Sequence, residues 1–257
     1  MRFSVLASGS RGNACYIETD NTNILIDAGL SCRETLRRLD MINVRVDRFD
    51  ALVITHEHHD HIKGAGPISR KFNIPLLLNR ATLIQGIRAL GNISTTITLQ
   101  TGNSITINDI VIDTFTKCHD AADPMGMIIS SNGARLGIIT DLGRSTRLIA
   151  DRLKECDAIL IEFNHDTEML DEGPYPPYLK RRIKGDEGHL SNQQAGELLQ
   201  DIAHKGLKQI ILAHISEKNN LPEKALEAAK KALTEIGMDR ISIYVSSQDE
   251  PSPLIEI

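Results

Sequence analysis

A dense histidine cluster is the part of this sequence with the clearest chemical meaning. Residues 55–61 read Thr-His-Glu-His-His-Asp-His and directly follow a short apolar run. A loop that leaves a buried strand there can turn His56 and His58 toward one point. Asp60 and His61 then face a second point, which would place two divalent ions roughly 3.5–4 Å apart. The pattern therefore predicts a two-metal centre, whose imidazole and carboxylate ligands favour Zn, Mn or Fe.

Further metal ligands are expected at the ends of later strands. Two metals need about seven protein ligands in addition to water, which is more than one loop provides. His119, Asp141 and His214 each follow a predicted strand, and Asp141 would be the carboxylate that both ions share. A single residue in such a place is more often a turn residue. Three of them behind the histidine cluster favour ligands, and the internal position of the cluster disfavours a merely solvated loop.

The composition is that of an ordinary globular protein. Of the 257 residues, 41% are hydrophobic and 25% are charged. No apolar run approaches the ~20 residues that cross a bilayer, and the N-terminal apolar stretch is too short for a secretion signal. The 4 cysteines show no pairing pattern, so a reduced, cytoplasmic location without membrane association is expected. The net charge of −5 indicates no general attraction to nucleic acid.

Short strands and amphipathic helices alternate along the chain. Residues 95–141 are expected to hold four strands with a hairpin turn at Asn132-Gly133, and residues 164–190 to be irregular. No linker or internal repeat divides the sequence. We therefore expect a single domain over residues 1–257, of α/β (α+β) class, built as a four-layer αββα sandwich. Other predicted strands are 3–7, 15–19, 24–27, 51–55, 75–78, 158–163, 209–214 and 241–245; predicted helices begin at Ser31 and Ser191 or cover 64–72, 81–90, 145–156 and 222–236.

At a larger scale these motifs resemble a known superfamily. The run His56-x-His-x-Asp-His61, followed by His119, Asp141 and His214, is similar to the metal-binding signature of the metallo-β-lactamase superfamily. Asp27-Ala-Gly29 resembles its first motif, whose aspartate usually braces the metal loop. Segments similar to the YycJ (WalJ) family are 3–13, 55–58, 161–165, 173–176, 180–183, 188–192 and 212–216. Members of that family are regarded as cytoplasmic bacterial DNA nucleases, and ribonuclease Z and the phosphodiesterase PhnP are related in layout.

The resemblance implies the metallo-β-lactamase fold and a division of the ligands. The first metal would take His56, His58 and His119. The second would take Asp60, His61 and His214, and Asp141 would be shared. A hydroxide bridging the metals, formed because metal binding lowers the pKa of water toward ~7, would attack phosphorus.

Non-ligand residues are expected to assist this reaction. His189 resembles the histidine that ribonuclease Z relatives place near the scissile phosphate, and it would protonate the leaving group. The alternative is that His189 only supports the helix beginning at Ser191. Asp60 is expected both to bind metal and to take part in catalysis. Asn13, in a glycine-rich turn, would donate a hydrogen bond to a phosphate oxygen.

A basic run completes the predicted site. Lys180, Arg181 and Arg182 are expected to bind substrate, DNA rather than RNA or another phosphodiester, although such runs are often only solvated. The resulting prediction is a metal-dependent phosphodiesterase or nuclease of exonuclease type. The alternatives are a hydrolase of a small ester, thioester or lactone on the same fold, and a non-catalytic metal-binding regulator. Assembly into a homo-oligomer stays open.

Overall fold

The computed structural model describes residues 1–257. The first half of the chain supplies six strands of one sheet and four helices. The strands are β1 (Arg2–Ala7), β2 (Ala14–Glu18), β3 (Asn23–Ile26), β4 (Ala51–Val53), β5 (Leu76–Asn79) and β6 (Thr96–Leu99). The helices are α1 (Cys32–Met41), α2 (His59–Ile62), α3 (Ala65–Phe72) and α4 (Arg80–Leu90).

The second half of the chain builds the other sheet. Its strands are β7 (Ser104–Ile107), β8 (Ile110–Thr116), β9 (Met125–Ser131), β10 (Ala134–Ile139), β11 (Ala158–Glu162), β12 (Gln209–Ala213) and β13 (Ser242–Val245). The helices are α5 (Arg147–Leu153), α6 (Thr167–Glu172), α7 (Pro177–Lys184), α8 (Asn192–Ile202) and α9 (Pro222–Glu235). A last strand, β14 (Ile255–Glu256), returns to β1. The strand orders are β14-β1-β2-β3-β4-β5-β6 and β13-β12-β11-β10-β9-β8-β7.

Three buried hydrophobic clusters hold these elements in four layers. The central cluster lies between the sheets, where Ile26 and Val53 of the first sheet meet Ile129 and Leu160 of the second. A second cluster packs α5, α8 and α9 on the outer face of the second sheet, and a third packs α1 to α4 on the first. Each fully buried aliphatic side chain contributes about 1.5–3 kcal/mol. The layer order confirms the predicted αββα sandwich.

The strand directions bring many loops to one edge of the molecule. Strands β3, β4 and β5 are parallel, and so are β10, β11, β12 and β13. Strand β8 is antiparallel to β9, which is antiparallel to β10, so β8 also ends at the same edge as β10. By the same count β1 ends beside β3. Polar residues at the carboxyl ends of these strands therefore face one another across the two sheets.

Two expectations about the elements were wrong. Residues 95–141 form five strands rather than four, because a tight turn with Asn108 at φ 50° separates β7 from β8. Residues 164–190 are not irregular but contain α6 and α7. The expected turn at Asn132-Gly133 is confirmed, with φ of 50° and 86° as a two-residue hairpin of this type requires. None of the helices is long and apolar enough to span a lipid bilayer.

Candidate metal centre

Three histidines from two loops form the first group of metal-binding side chains. Nδ1 of His58 lies 3.2 Å from Nε2 of His56 and 3.2 Å from Nε2 of His119. The outer nitrogens are held by main-chain acceptors. Nε2 of His58 donates to the carbonyl of Asp120 and Nδ1 of His119 to the carbonyl of Gly188, each at 3.2 Å. Three imidazole lone pairs therefore converge on one point.

A second group lies beside the first. Nε2 of His61 is 3.5 Å from Oδ2 of Asp60 and 3.3 Å from Oδ2 of Asp141. Nε2 of His214 is 3.9 Å from Oδ2 of Asp60. Asp141 also reaches the first group, since its Oδ1 is 3.9 Å from Nε2 of His119. The chain thus brings all seven predicted ligands together, with the Asp141 carboxylate between the two groups.

The tightest donor sets differ from the predicted division. Donor atoms lie within 4.8 Å of one another in three sets, namely His56, His58 and His119; His56, His61 and Asp141; and Asp141, Glu162, His189 and His214. Asp60 is not in any of the three sets, although it is a neighbour of two of the histidines. Glu162 and His189 join the donors without having been predicted as ligands.

Asp27 braces the loop that carries the histidine cluster. Its Oδ1 accepts from the main-chain N–H of Thr55 at 2.8 Å, and its Oδ2 accepts from the Thr55 hydroxyl at 2.8 Å. Oδ2 also lies 2.7 Å from Nδ1 of His61. The Thr55 hydroxyl in turn lies 2.9 Å from Nδ1 of His56. With both Nδ1 atoms donating, Nε2 of each histidine is the nitrogen that faces the centre.

Glu162 performs the same task on the opposite sheet. It is fully buried at the end of β11, and its Oε2 lies 3.3 Å from Nδ1 of His214. Its Oε1 accepts from the main-chain N–H of Leu190 at 2.8 Å and lies 3.2 Å from Nδ1 of His189. Burial opposes its ionisation, but His189 and His214 outweigh burial and lower the pKa of Glu162 to about 2. The buried carboxylate therefore orients a predicted ligand and the predicted catalytic histidine together.

The donor set fits divalent metal ions. Oδ2 of Asp141 and Nε2 of His214 are buried without a hydrogen-bond partner. Leaving such an atom unpaired costs about 1–3 kcal/mol, which a bound cation would offset. Mixed imidazole nitrogens and carboxylate oxygens suit borderline cations such as Zn²⁺, Mn²⁺ or Fe²⁺. No cysteine is among the converging donors.

The ionisation of these groups is set by burial and by their neighbours. Burial holds the pKa of His56 well below its ordinary value and lowers that of His119 to about 4, so both are neutral at neutral pH. Burial also opposes protonation of His61 and His214, but nearby carboxylates, Asp141 above all, outweigh it. The pKa of His61 is therefore well above its ordinary value, and that of His214 is about 9. A cation entering the second group would replace these protons.

Three residues of the centre have left-handed backbone conformations. Asp27, Asp141 and His214 have φ of 59°, 54° and 54°, each just after a strand. Such conformations cost of order 1–3 kcal/mol and persist where the surroundings fix them. The N–H of His214 donates to the hydroxyl of Ser8 at 2.7 Å, and the N–H of Asp141 donates to Glu162. These turns direct side chains away from the sheets and into the centre.

Asn13 lies in the glycine-rich loop after β1, against Asp60. Its side-chain N–H groups donate to Oδ2 of Asp60 at 3.0 Å and to the carbonyl of Gly9 at 3.1 Å, while its Oδ1 accepts from the N–H of Gly9. Its main-chain N–H donates to the Asp60 carbonyl at 2.8 Å. The side chain is buried and its hydrogen-bonding groups are taken up by the loop and by Asp60.

His189 lies at a partly exposed side of the centre, and one residue of the basic run, Arg182, lines a cavity beside it. The His189 ring lies between the rings of His119 and His214, at centroid distances of 5.3 and 5.0 Å, and its side chain is 20% exposed. Helix α7 carries the basic run. Arg182 pairs with Asp120, Lys180 donates to the carbonyl of Asp171, and Arg181 is exposed. A cavity of about 610 Å³ is lined by Arg182, His119 and their neighbours.

A buried lysine behind the centre was not foreseen. Lys117 is 5% exposed, and its Nζ donates to the carbonyl of Thr140 at 2.6 Å, just before Asp141. Burial lowers its pKa, against the carboxylates around it. The sequence carries no signal for this position, because a lysine at the end of a strand is normally solvated. Glu162 had a usable signal, since it ends a strand of the same parallel set as the other ligands.

Comparison with known proteins agrees with this geometry. The family model described as the beta-lactamase superfamily domain matches residues 22–215. The chain is 38% identical to the exodeoxyribonuclease YycJ of Bacillus anthracis, over 92% of this chain and 90% of that protein. It is 36% identical to the exodeoxyribonuclease WalJ of Streptococcus pneumoniae, over 100% of this chain and 98% of that protein.

Solved structures with low sequence identity share the fold. The metallo-β-lactamase fold protein YhfI of Bacillus subtilis superposes with a TM-score of 0.74 at 16% identity, covering 98% of both chains. A diphosphatase of the PhnP family and the short form of human tRNase Z superpose with TM-scores of 0.67, at 16% and 15% identity and with at least 97% of each chain covered. The chain therefore belongs to the metallo-β-lactamase superfamily, as a metal-dependent hydrolase related to the YycJ and WalJ exodeoxyribonucleases.

Proposed function

We propose that the protein is an exonuclease that hydrolyses phosphodiester bonds in DNA with two divalent metal ions. The observation that carries the proposal is the pair of donor groups that meet at Asp141, one built from imidazoles and one containing carboxylates. Relatives that are 36–38% identical over nearly the whole chain are named exodeoxyribonucleases. We take residues 1–257 to be one domain, since the central cluster draws on both halves of the chain.

In this proposal the ligands divide between the two ions in the way that the sequence predicts. His56, His58 and His119 would hold the first ion, Asp60, His61 and His214 the second, and Asp141 both. When bound, such ions act as Lewis acids toward a phosphoryl group and lower the pKa of water. The protein fixes the ligand tautomers through Asp27 on one sheet and Glu162 on the other. Asn13, held in its loop, would position Asp60 rather than touch the phosphate.

His189 would donate a proton to the leaving oxygen. With Nδ1 donating to Glu162, its Nε2 is free to hold a proton for the leaving oxygen, and the ring is partly open to solvent. Proton donation by a positioned histidine typically contributes 10²–10⁴-fold in rate. Replacing His189 with Gln should therefore lower kcat far more than it changes KM. Its place in a tight donor set also allows a ligand role, which metal content of the same variant would reveal.

The substrate strand would pass over α7. Arg182 lines the cavity next to His119, and Lys180 and Arg181 precede it on the same helix. Their positive charges would suit a polyanion and offset the overall charge of −5. The aromatic ring of Tyr178, 67% exposed on the same helix, offers a surface on which a base can stack. The free thiols of all cysteines agree with a reducing, cytoplasmic compartment where DNA is present.

One set of assays tests the function. The metal-loaded protein is incubated with single- and double-stranded DNA and with RNA, each with free or blocked ends, and with lactoylglutathione and a chromogenic cephalosporin. We expect release of nucleotides from free DNA ends and none from blocked ends. Turnover of the thioester or lactam alone would contradict the proposal, and inactivity on all substrates by fully metal-loaded protein would favour a regulator. The variants Lys180→Met and Arg181→Met should weaken binding of single-stranded DNA. The slope of the logarithm of the binding constant against the logarithm of the salt concentration should become shallower by about 0.7 for each phosphate contact that is lost.

A further inference from the structure

Asp120 connects the metal centre to the basic helix. It follows His119 directly, and its Oδ2 pairs with Nε of Arg182 on α7 at 2.5 Å. Its other oxygen, Oδ1, is buried without a hydrogen-bond partner. That oxygen lies 3.6 Å from Nε2 of His119 and 3.8 Å from Nε2 of His58. One carboxylate thus faces two imidazoles of the first group on one side and a cation of α7 on the other.

The first group supplies no negative charge of its own. His56, His58 and His119 contribute none, and Asp141 is shared with the second group. Asp120 is a further carboxylate beside these imidazoles, and a charge in a partly buried place is screened less than one on the surface. Its effect on a cation is reduced as long as the guanidinium of Arg182 neutralises it.

The loop of Asp120 does not depend on Arg182 for its position. The N–H of Asp120 donates to the carbonyl of Glu187 at 3.0 Å, and the N–H of Ala122 donates to Oε1 of Glu57 at 2.8 Å. The carbonyl of Asp120 is the acceptor for His58. Removing the Arg182 side chain therefore removes a charge and leaves the anchors of the loop in place.

We propose that Asp120 and Arg182 form a charge latch that couples the first metal site to polyanion binding on α7. In the free protein Arg182 neutralises Asp120 and weakens its pull on the cation. A phosphate that draws Arg182 away restores the full charge of Asp120, so that binding of the polyanion tightens binding of the metal. Because coupling between two binding sites is reciprocal, metal also tightens the polyanion. The identity of the polyanion as DNA rests on the proposed function, whereas the effect on the metal does not.

Zinc affinity tests the latch without any substrate. Zinc is titrated into the full-length apo protein in competition with a chromophoric chelator, for wild type, Asp120→Asn and Arg182→Met. We expect Asp120→Asn to weaken one of the two zinc equivalents about tenfold. Arg182→Met should tighten the same equivalent about threefold, because a nearby positive charge is lost. The matched controls are Asp171→Asn and Lys184→Met, which break the other ion pair of α7 and should leave both equivalents unchanged.

The opposite signs separate the latch from a simple supporting role. If both Asp120→Asn and Arg182→Met weaken zinc binding, the pair only maintains the shape of the loop and the latch is overturned. The latch is also overturned if neither variant changes zinc binding. A second titration adds a single-stranded phosphorothioate oligodeoxynucleotide. It should tighten zinc binding more in wild type and in Lys184→Met than in the two latch variants, which keep only the direct attraction between polyanion and cation. Equal tightening in all four proteins would overturn the latch. Failure of the oligonucleotide to bind would contradict DNA as the substrate, while the zinc titrations alone still decide on the latch. An oligonucleotide that binds wild type without changing zinc affinity would overturn the coupling.

Discussion

Replacement of Glu162 by Gln tests how the second sheet organises the metal centre. Glu162 is fully buried and accepts from main-chain N–H groups on both sides, from Leu190 through Oε1 and from Leu142 through Oε2. It also accepts from Nδ1 of His189 and of His214. Glutamine has almost the same shape but one acceptor oxygen instead of two. Whichever way the amide turns, a donating NH₂ group faces at least one buried N–H.

The size of the effect follows from these contacts. One orphaned buried N–H costs about 1–3 kcal/mol, which for a chain of this size lowers the melting temperature by roughly 2–12 °C. In addition, Nδ1 of His214 would face a neutral amide instead of a negatively charged carboxylate. Loss of such an outer partner of a metal ligand typically weakens metal binding 10–100-fold. We expect Glu162→Gln to show both losses, which are of similar size in free energy.

Two measurements on the same samples separate these effects. Thermal unfolding with a chelator present reports the apo stability, and zinc titration against a chromophoric competitor reports the affinity. The control is Glu155→Gln, which changes an exposed carboxylate just before β11, at the opposite edge of the sheet, and should alter neither. A destabilised Glu162→Gln protein that binds zinc like wild type would refute the orienting role and leave only a packing role.

Three other perturbations have defined outcomes. Gly29→Ala should prevent stable folding of the loop around the metal centre, since its Cβ would lie 1.7 Å from the carbonyl oxygen of Asp60; a protein with wild-type melting temperature and zinc content would disprove this packing. Zinc affinity should rise with pH up to about 9, because zinc must displace the proton of His214 below that pH. Calorimetry in buffers of different ionisation enthalpy measures the protons released on zinc binding. The stability of the apo protein should change in the opposite sense. The pKa of His214 is higher in the folded than in the unfolded protein, so protonated His214 stabilises the fold. This stabilisation is complete below pH of about 6.5 and is lost as the pH rises through about 9. Unchanged melting temperatures across that range would contradict the raised pKa. Asn13→Ala should lower the affinity of one zinc equivalent several-fold without changing KM for DNA, whereas a raised KM and unchanged zinc affinity would restore the predicted phosphate contact.

The convergence of the seven candidate ligands was predictable because their positions follow local sequence patterns. The cluster from His56 to His61 is continuous in sequence, and His119, Asp141 and His214 each come just after a strand. Parallel strands end at the same edge of a sheet, so residues at these positions meet without further information. The αββα layering was also predictable, since strands and helices alternate without a break.

The residues that support the ligands were harder to foresee. Asp120 and Lys117 act through contacts between distant segments, as when Lys117 reaches the carbonyl of Thr140. The glycine-rich turn predicts a phosphate contact for Asn13, but this pattern does not reveal that the Asn13 amide donates to Asp60. Helices α6 and α7 were missed because proline and glycine residues at 173–177 suggest irregular structure, whereas Pro177 is the first residue of α7, a position that a helix tolerates well.

The arrangement of charge explains why so many buried ionisable groups coexist. Asp27, Asp60, Asp141 and Glu162 bring four carboxylates into or against the centre, and the side chain of Lys117 lies buried behind them. In the absence of metal, protons on His61 and His214 reduce the remaining negative charge, which is why the pKa of each is raised. Divalent ions would displace those protons and exceed their charge, so the centre favours cations strongly and becomes attractive to a polyanion only once it is loaded. It follows that DNA should bind weakly to the apo protein even with the basic residues of α7 intact.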